Sequence, residues 1–286
     1  MNLKLNAVIG MLVVGAAGQA TAAITLGQAQ GGSSLILSVW DYTTNESYTR
    51  NLGSNLNGFL PTGLTTLPND GNVVGTAVSG DKSPEAGLVV SFAGDALYTA
   101  TFGNNDPANI NWNIVAFDSV ASIGGGLSRI LTTANSAPRT TNGGIGIITF
   151  GIDNYLRSMI DFTTIGDVGV NSAAWTDTSV AAFAGNPGFG DTLNGGNLST
   201  STTGYGNSLS FYYLARTQVS GVNSTLATQR LYANSLNTAA WTLAANGTAT
   251  YALAPIPEPA ALWMLGAGLL GVLGVARRRQ ASGSAA

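Results

Sequence analysis

The chain contains no cysteine and no histidine. Without cysteine there is no thiol catalysis, no thiolate metal site and no disulfide within the chain. Without histidine the commonest general base near neutral pH and the commonest transition-metal ligand are both missing. Ser-His-Asp triads, zinc hydrolase sites and haem ligation by histidine are therefore excluded. Charge is also scarce: Asp, Glu, Lys and Arg make up 9% of the residues, against about 25% in an ordinary soluble domain. With 45% hydrophobic residues, this is not the high-charge, low-hydrophobicity signature of disorder. Between Ala23 and Ile256 there are 13 acidic and 7 basic side chains, and no basic patch. Binding to nucleic acid through phosphate neutralisation is not expected. Glycine is plentiful at 38 residues, which suits a secreted β-rich protein with many turns.

Both ends read as processing segments. At the N-terminus Lys4 supplies the positive charge and Ala7–Ala17 an apolar run too short to span a bilayer stably. Ala20-Thr21-Ala22 provides the small-x-small pattern for cleavage after Ala22, so residues 1–22 are expected to be a signal peptide. At the C-terminus Ala260–Ala276 carries no charge. As a helix it would measure about 25 Å, just short of the roughly 30 Å hydrocarbon core. Arg277, Arg278 and Arg279 follow directly and would stay cytoplasmic, while Trp263 suits the opposite interface. The intervening domain then lies outside, in agreement with the signal peptide. Pro257-Glu258-Pro259 stands just before this helix. Proline fixes φ and lacks an N–H, so the tripeptide makes a stiff, unpaired stretch of the kind a processing enzyme can reach.

The ordered set of Pro-Glu-Pro, a short glycine-containing apolar helix, an arginine cluster and the chain end resembles the PEP-CTERM sorting signal of Gram-negative bacteria. The resemblance covers Ile256 to the end. It implies recognition and cleavage by a membrane enzyme, exosortase, which supplies its own catalytic cysteine. It also implies a setting in bacteria that make extracellular polysaccharide. Trp40-Asp41 with Ser47–Gly53 is similar to a segment of exported PEP-CTERM proteins of unassigned biochemical activity.

Between the ends the expected architecture is all-β, a β-sandwich with one or two short helices over residues 23–254. Period-2 and β-branched or aromatic runs mark strands at Ser34–Tyr42, Ser47–Asn51, Leu88–Phe92, Leu97–Phe102, Ile110–Phe117, Ile145–Phe150, Leu209–Ala215, Ala227–Tyr232, Ala240–Ala244 and Thr248–Leu253. Thr43–Glu46 reads as the loop of a first hairpin, and Asn246-Gly247 as a type I′ turn. Ile152, Tyr155, Leu156, Met159 and Ile160 form one face of a short amphipathic helix. Gly185–Tyr205 reads as a loop.

Chemistry compatible with this composition is limited. A glycosidase needs two carboxylates and no histidine. The candidates are Asp41, Glu46, Asp70, Asp81, Glu85, Asp95, Asp106, Asp118, Asp153, Asp161, Asp167, Asp177 and Asp191, whose spacing selects no pair. Calcium needs only oxygen ligands. Asn69–Asn72 and Asn104–Asp106 are oxygen-rich, but such residues are more often turn formers. No metal or cofactor is expected. For sugar stacking Trp40, Trp112 and Trp241 sit in strand patterns and read as core, which leaves Trp175 in its loop-like context. Sequons occur at Asn45, Asn197, Asn223 and Asn246.

The leading expectation is a non-enzymatic exported protein, structural or interacting, at the cell surface or in a biofilm-type matrix. Residues 255–286 form its sorting signal: motif 257–259, membrane helix 260–276, basic tail 277–279. Its partners would be the secretion machinery, the inner membrane in transit, and exosortase, with extracellular polysaccharide as a candidate. The alternatives are a carbohydrate-binding module and a histidine-free glycoside hydrolase.

Overall fold

The computed structural model describes residues 13–14, 23–27, 32–59, 89–118, 128–167, 169–190, 193, 199–216, 224–233 and 238–254. The chain divides into two units, Met1–Ala254 and Pro255–Ala286. The first is built on one sheet. Its strands are β1 Val13–Val14, β2 Ser34–Asp41, β3 Glu46–Asn55, β4 Val89–Phe92, β5 Ile110–Asp118, β6 Arg129–Ala134, β7 Ser172–Trp175, β8 Thr202–Thr203, β9 Ser208–Ala215, β10 Thr228–Leu231, β11 Thr238–Leu243 and β12 Ala249–Ala254. The main path runs β1-β4-β12-β11-β9-β6-β5-β2-β3-β7, with β10 beside β9 and β8 beside β5. Every pairing is antiparallel except the short β1–β4 contact.

The expected sandwich is thus replaced by a single curled sheet, a half-barrel. The physical reason lies in what covers each face. Alternate residues such as Leu37, Val39, Trp112, Ile114, Leu131, Phe211, Tyr213, Trp241 and Tyr251 point into the concave side and form one core. Phe59 stacks on Trp241 at 5.7 Å between centroids and meets Tyr251 edge-on at 5.2 Å. Phe92 also stacks on Trp241, 5.8 Å between centroids. Such pairs each add about 0.5–1.5 kcal/mol beyond the area they bury. The convex side carries Ile36, Trp40, Val115, Phe117, Ile130 and Leu214. A helix covers it instead of a second sheet, so β2 and β6 are buried on both faces.

That helix, α2, spans Asn142–Phe162. Thr141 caps its start, Oγ1 accepting from the Gly144 N–H at 3.1 Å. Ile145, Ile148, Ile152, Tyr155, Leu156 and Met159 form its buried stripe. The segment Ile145–Phe150, expected as a strand, is therefore the first half of this helix. Its Ile/Thr run mimics strand composition, but the stripe continues at helical spacing into Ile152 and beyond. Tyr155 lies flat on Phe189, 4.0 Å between centroids, and its hydroxyl bonds Ser38 Oγ at 3.3 Å and Thr49 Oγ1. Burial pushes the Tyr155 phenol up to about 12. Phe189 and Leu193 are buried in the same core, so the described part of Gly185–Tyr205 packs on the domain and includes β8.

A second correction concerns Leu97–Phe102, which is helical within α1, Ala96–Phe102. Asp95 is its N-cap, accepting from the Tyr98 N–H at 2.9 Å and from the Tyr48 hydroxyl at 2.8 Å. Tyr98 meets Tyr48 edge-on at 5.3 Å, and Arg50 donates to the Ala93 carbonyl. The segment following β4 therefore packs onto β3 and β7, at the other end of the strand order. Among the described residues, side chains and not a strand ladder join the two ends of the curl.

Turn geometry differs in detail as well. At the Ala244–Thr248 hairpin only Gly247 has positive φ (+77°), and its N–H donates to Ala244 O at 2.9 Å. This is a type I turn followed by a left-handed glycine, not the type I′ turn expected. A side chain at Gly247 would also collide with the Tyr98 ring. In the first hairpin Asp41 Oδ1 accepts from the Thr43 N–H at 2.7 Å, and Asn45 takes φ 58°.

Candidate functional site

The last described residue, Ala254, adjoins the expected sorting signal. β12 pairs with β11 up to Thr238↔Ala254. The next residue, Pro255, has no N–H with which to continue a ladder. Pro257, Glu258, Pro259, the 260–276 segment and Arg277, Arg278 and Arg279 lie outside the described residues, as do Ala20 and Ala22. Among the described residues no helix is long and apolar enough to cross a membrane.

The structure gives most described carboxylates a local structural task. Asp118 lies directly across from Arg129 and pairs with it at 2.5 Å, both groups buried. Asp153 bridges to Arg157 along α2 at 2.7 Å. Asp106 Oδ1 accepts from the Ala108 N–H at 3.0 Å and caps a 3-10 turn, Pro107–Asn109. Asp177 Oδ1 accepts from Ser179 N–H and Oγ, bonds that hold its carboxyl below the ordinary value. For Asp95, burial pushes upward. The Tyr98 N–H, Ser172, Tyr48 and the Arg50 charge outweigh it and hold the carboxyl low. Asp161 and Asp167 are exposed, while Asp70, Asp81, Glu85 and Asp191 lie outside the described residues.

One pair of candidates does come together. The Asn105 amide donates to Asp41 Oδ2 at 3.0 Å, Glu46 Oε2 at 2.9 Å and Thr44 Oγ1 at 3.0 Å. The arrangement ties the Asn104–Asp106 loop to the first hairpin. Among the described residues no three acidic side chains converge as a metal site would require, and Asn69–Asn72 lies outside them.

Trp40, Trp112 and Trp241 are fully buried. Trp175 is only partly buried, and it ends edge strand β7 instead of standing in a loop. Its indole N–H donates to Asp177 O at 2.9 Å, and its carbonyl accepts from Ser47 Oγ at 3.2 Å. Phe162, the last residue of α2, lies 5.5 Å away between centroids at 39°, and 54% of its surface is exposed. Sequence reasoning missed Phe162, because only the fold brings the end of α2 to the end of β7.

A shallow cleft of about 330 Å³ opens near the start of the expected mature chain, lined by Ala23, Thr25, Ser34, Asn51, Gly53, Ser54, Asn55 and Gly58. Its hydroxyl and amide groups are neutral hydrogen-bonding groups with no titratable side chain. Of the sequon asparagines, Asn45 and Asn246 stand exposed at hairpin tips, whereas Asn197 and Asn223 lie outside the described residues.

Residues 255–280 match the family described as the PEP-CTERM protein-sorting motif. No curated protein and no solved structure matches the chain.

Proposed function

We propose that this chain, which carries a PEP-CTERM sorting motif, works beyond the inner membrane as a structural or interaction protein of the cell surface or extracellular matrix. The match at residues 255–280 carries the reading. Such a motif implies an exported protein that transits the membrane and is processed by an exosortase. In this reading Pro257, Glu258 and Pro259 are the recognition element, Arg277–Arg279 the charge that halts translocation, and Ala20 and Ala22 the signal-cleavage residues. The sequence supports it, because three prolines within residues 255–259 lack the N–H that a strand ladder needs. The structural employment of most described carboxylates favours action by binding over action by chemistry.

Replacing Pro257, Glu258 and Pro259 together by alanine in the native host tests this. The expected result is an uncleaved precursor held in the inner-membrane fraction, with the surface form lost. A surface product of unchanged mass would contradict the proposal.

Carbohydrate binding is the second reading. The partly exposed pair of Phe162 and Trp175 favours it.

A further inference from the structure

We infer that Phe162 and Trp175 form a two-ring platform for hexose units of a neutral polysaccharide; this rests on the second reading above. Sugar rings present C–H faces that pack on flat aromatic faces, and their hydroxyls need polar partners at the rim. Both parts are present. The two ring centroids lie 5.5 Å apart and the planes tilt by 39°, and 54% of Phe162 is exposed. Asp161 adjoins Phe162 in sequence, and Thr176, Asp177, Thr178 and Ser179 follow Trp175; all five are exposed.

Trp175 is the more tightly held of the two. Trp175 is held through its backbone by pairing with Ser47 and by the Ser47 hydroxyl, and through its ring by the bond to Asp177 O. Phe162 is set by the end of α2, where the Thr163 N–H returns to Met159 O at 3.0 Å. These bonds fix the Trp175 ring and the backbone that carries Phe162.

Charge decides between ligands. Asp161 and Asp177 accept hydrogen bonds from neutral hydroxyls and repel uronates. Asp177 stays ionised because the Ser179 bonds favour its charged form.

Acrylamide quenching of tryptophan fluorescence reads this site selectively, since Trp40, Trp112 and Trp241 are fully buried. The protein used is the full chain with Trp263→Phe, in a zwitterionic detergent so that no sugar headgroup competes. Neutral gluco-, manno- and galacto-hexaoses are titrated beside an oligouronate. At least one neutral hexaose should protect Trp175 and the oligouronate should not. Phe162→Ala should weaken binding by about tenfold, and Phe150→Ala, at the most exposed large apolar side chain of α2, should leave it unchanged. No protection by any neutral hexaose, equal weakening by Phe150→Ala, unchanged binding in Phe162→Ala, or protection that follows self-association would each overturn the inference. Sugar binding that survives Phe162→Ala sinks the platform alone, whereas a wild-type protein that none of the neutral hexaoses protects and that no neutral polysaccharide retains sinks the second reading with it.

Discussion

The exported domain and the tail encode their properties in opposite ways. In the tail everything that matters lies in linear order within residues 255–280, a stiff tripeptide, an apolar stretch and a basic cluster. In the domain the decisive contacts join residues far apart in the chain. Phe59 packs on Trp241, Tyr155 bonds Ser38, and Asp95 at the start of α1 holds Tyr48 of β3. A short sorting motif is local in the chain, whereas a core need not be. Substitutions in the domain should therefore move stability and leave the processing site unchanged, and substitutions in the tail should do the reverse.

The largest effect within the domain is expected at the buried pair. Arg129→Met leaves Asp118 charged and buried, which should cost about 3–5 kcal/mol and lower the thermal midpoint by about 10 °C. Combining it with Asp118→Leu removes both charges and should recover most of the loss, as thermal unfolding of the three proteins would show. If the single variant unfolds like the wild type, the pair is not the buried ion pair described here.

A smaller and pH-dependent effect is expected at Asp95. Its carboxyl is held below the ordinary value in the folded state, so its stabilisation is fully present above the unfolded pKa of about 4 and is lost as pH falls through the folded value. Asp95→Ala also removes the α1 cap. It should cost about 1–2 kcal/mol at neutral pH, reduced from a fully buried case because the group is half-exposed. The gap between variant and wild type should narrow in acid. A gap that stays constant from neutral pH to pH 2 would mean that the charge of Asp95 contributes nothing.

Much of the sheet was legible from alternation. Strands at Ser34–Asp41, Ile110–Asp118 and Ser208–Ala215 agree closely with the expected ones. The failures have physical causes. β6 begins with Arg129 and is buried on both faces, so it shows neither alternation nor a uniform apolar run. α1 carries tyrosine, threonine and phenylalanine, which favour strands, and its cap at Asp95 was the signal to weigh more heavily. The single sheet could not be separated from a sandwich, because a strand pattern reports which residues are buried and not what covers them. The tail was legible because its order is its meaning, and the aromatic pair was not, because Phe162 and Trp175 meet only through the fold.

The most direct measurement is C-terminal peptide and intact-mass analysis of the protein recovered from outside its native cells. A product that ends near Pro257 and lacks Arg277–Arg279 is the expected result. A product that keeps the arginine cluster and stays with the inner membrane would contradict processing at the motif and leave the tail as a plain anchor.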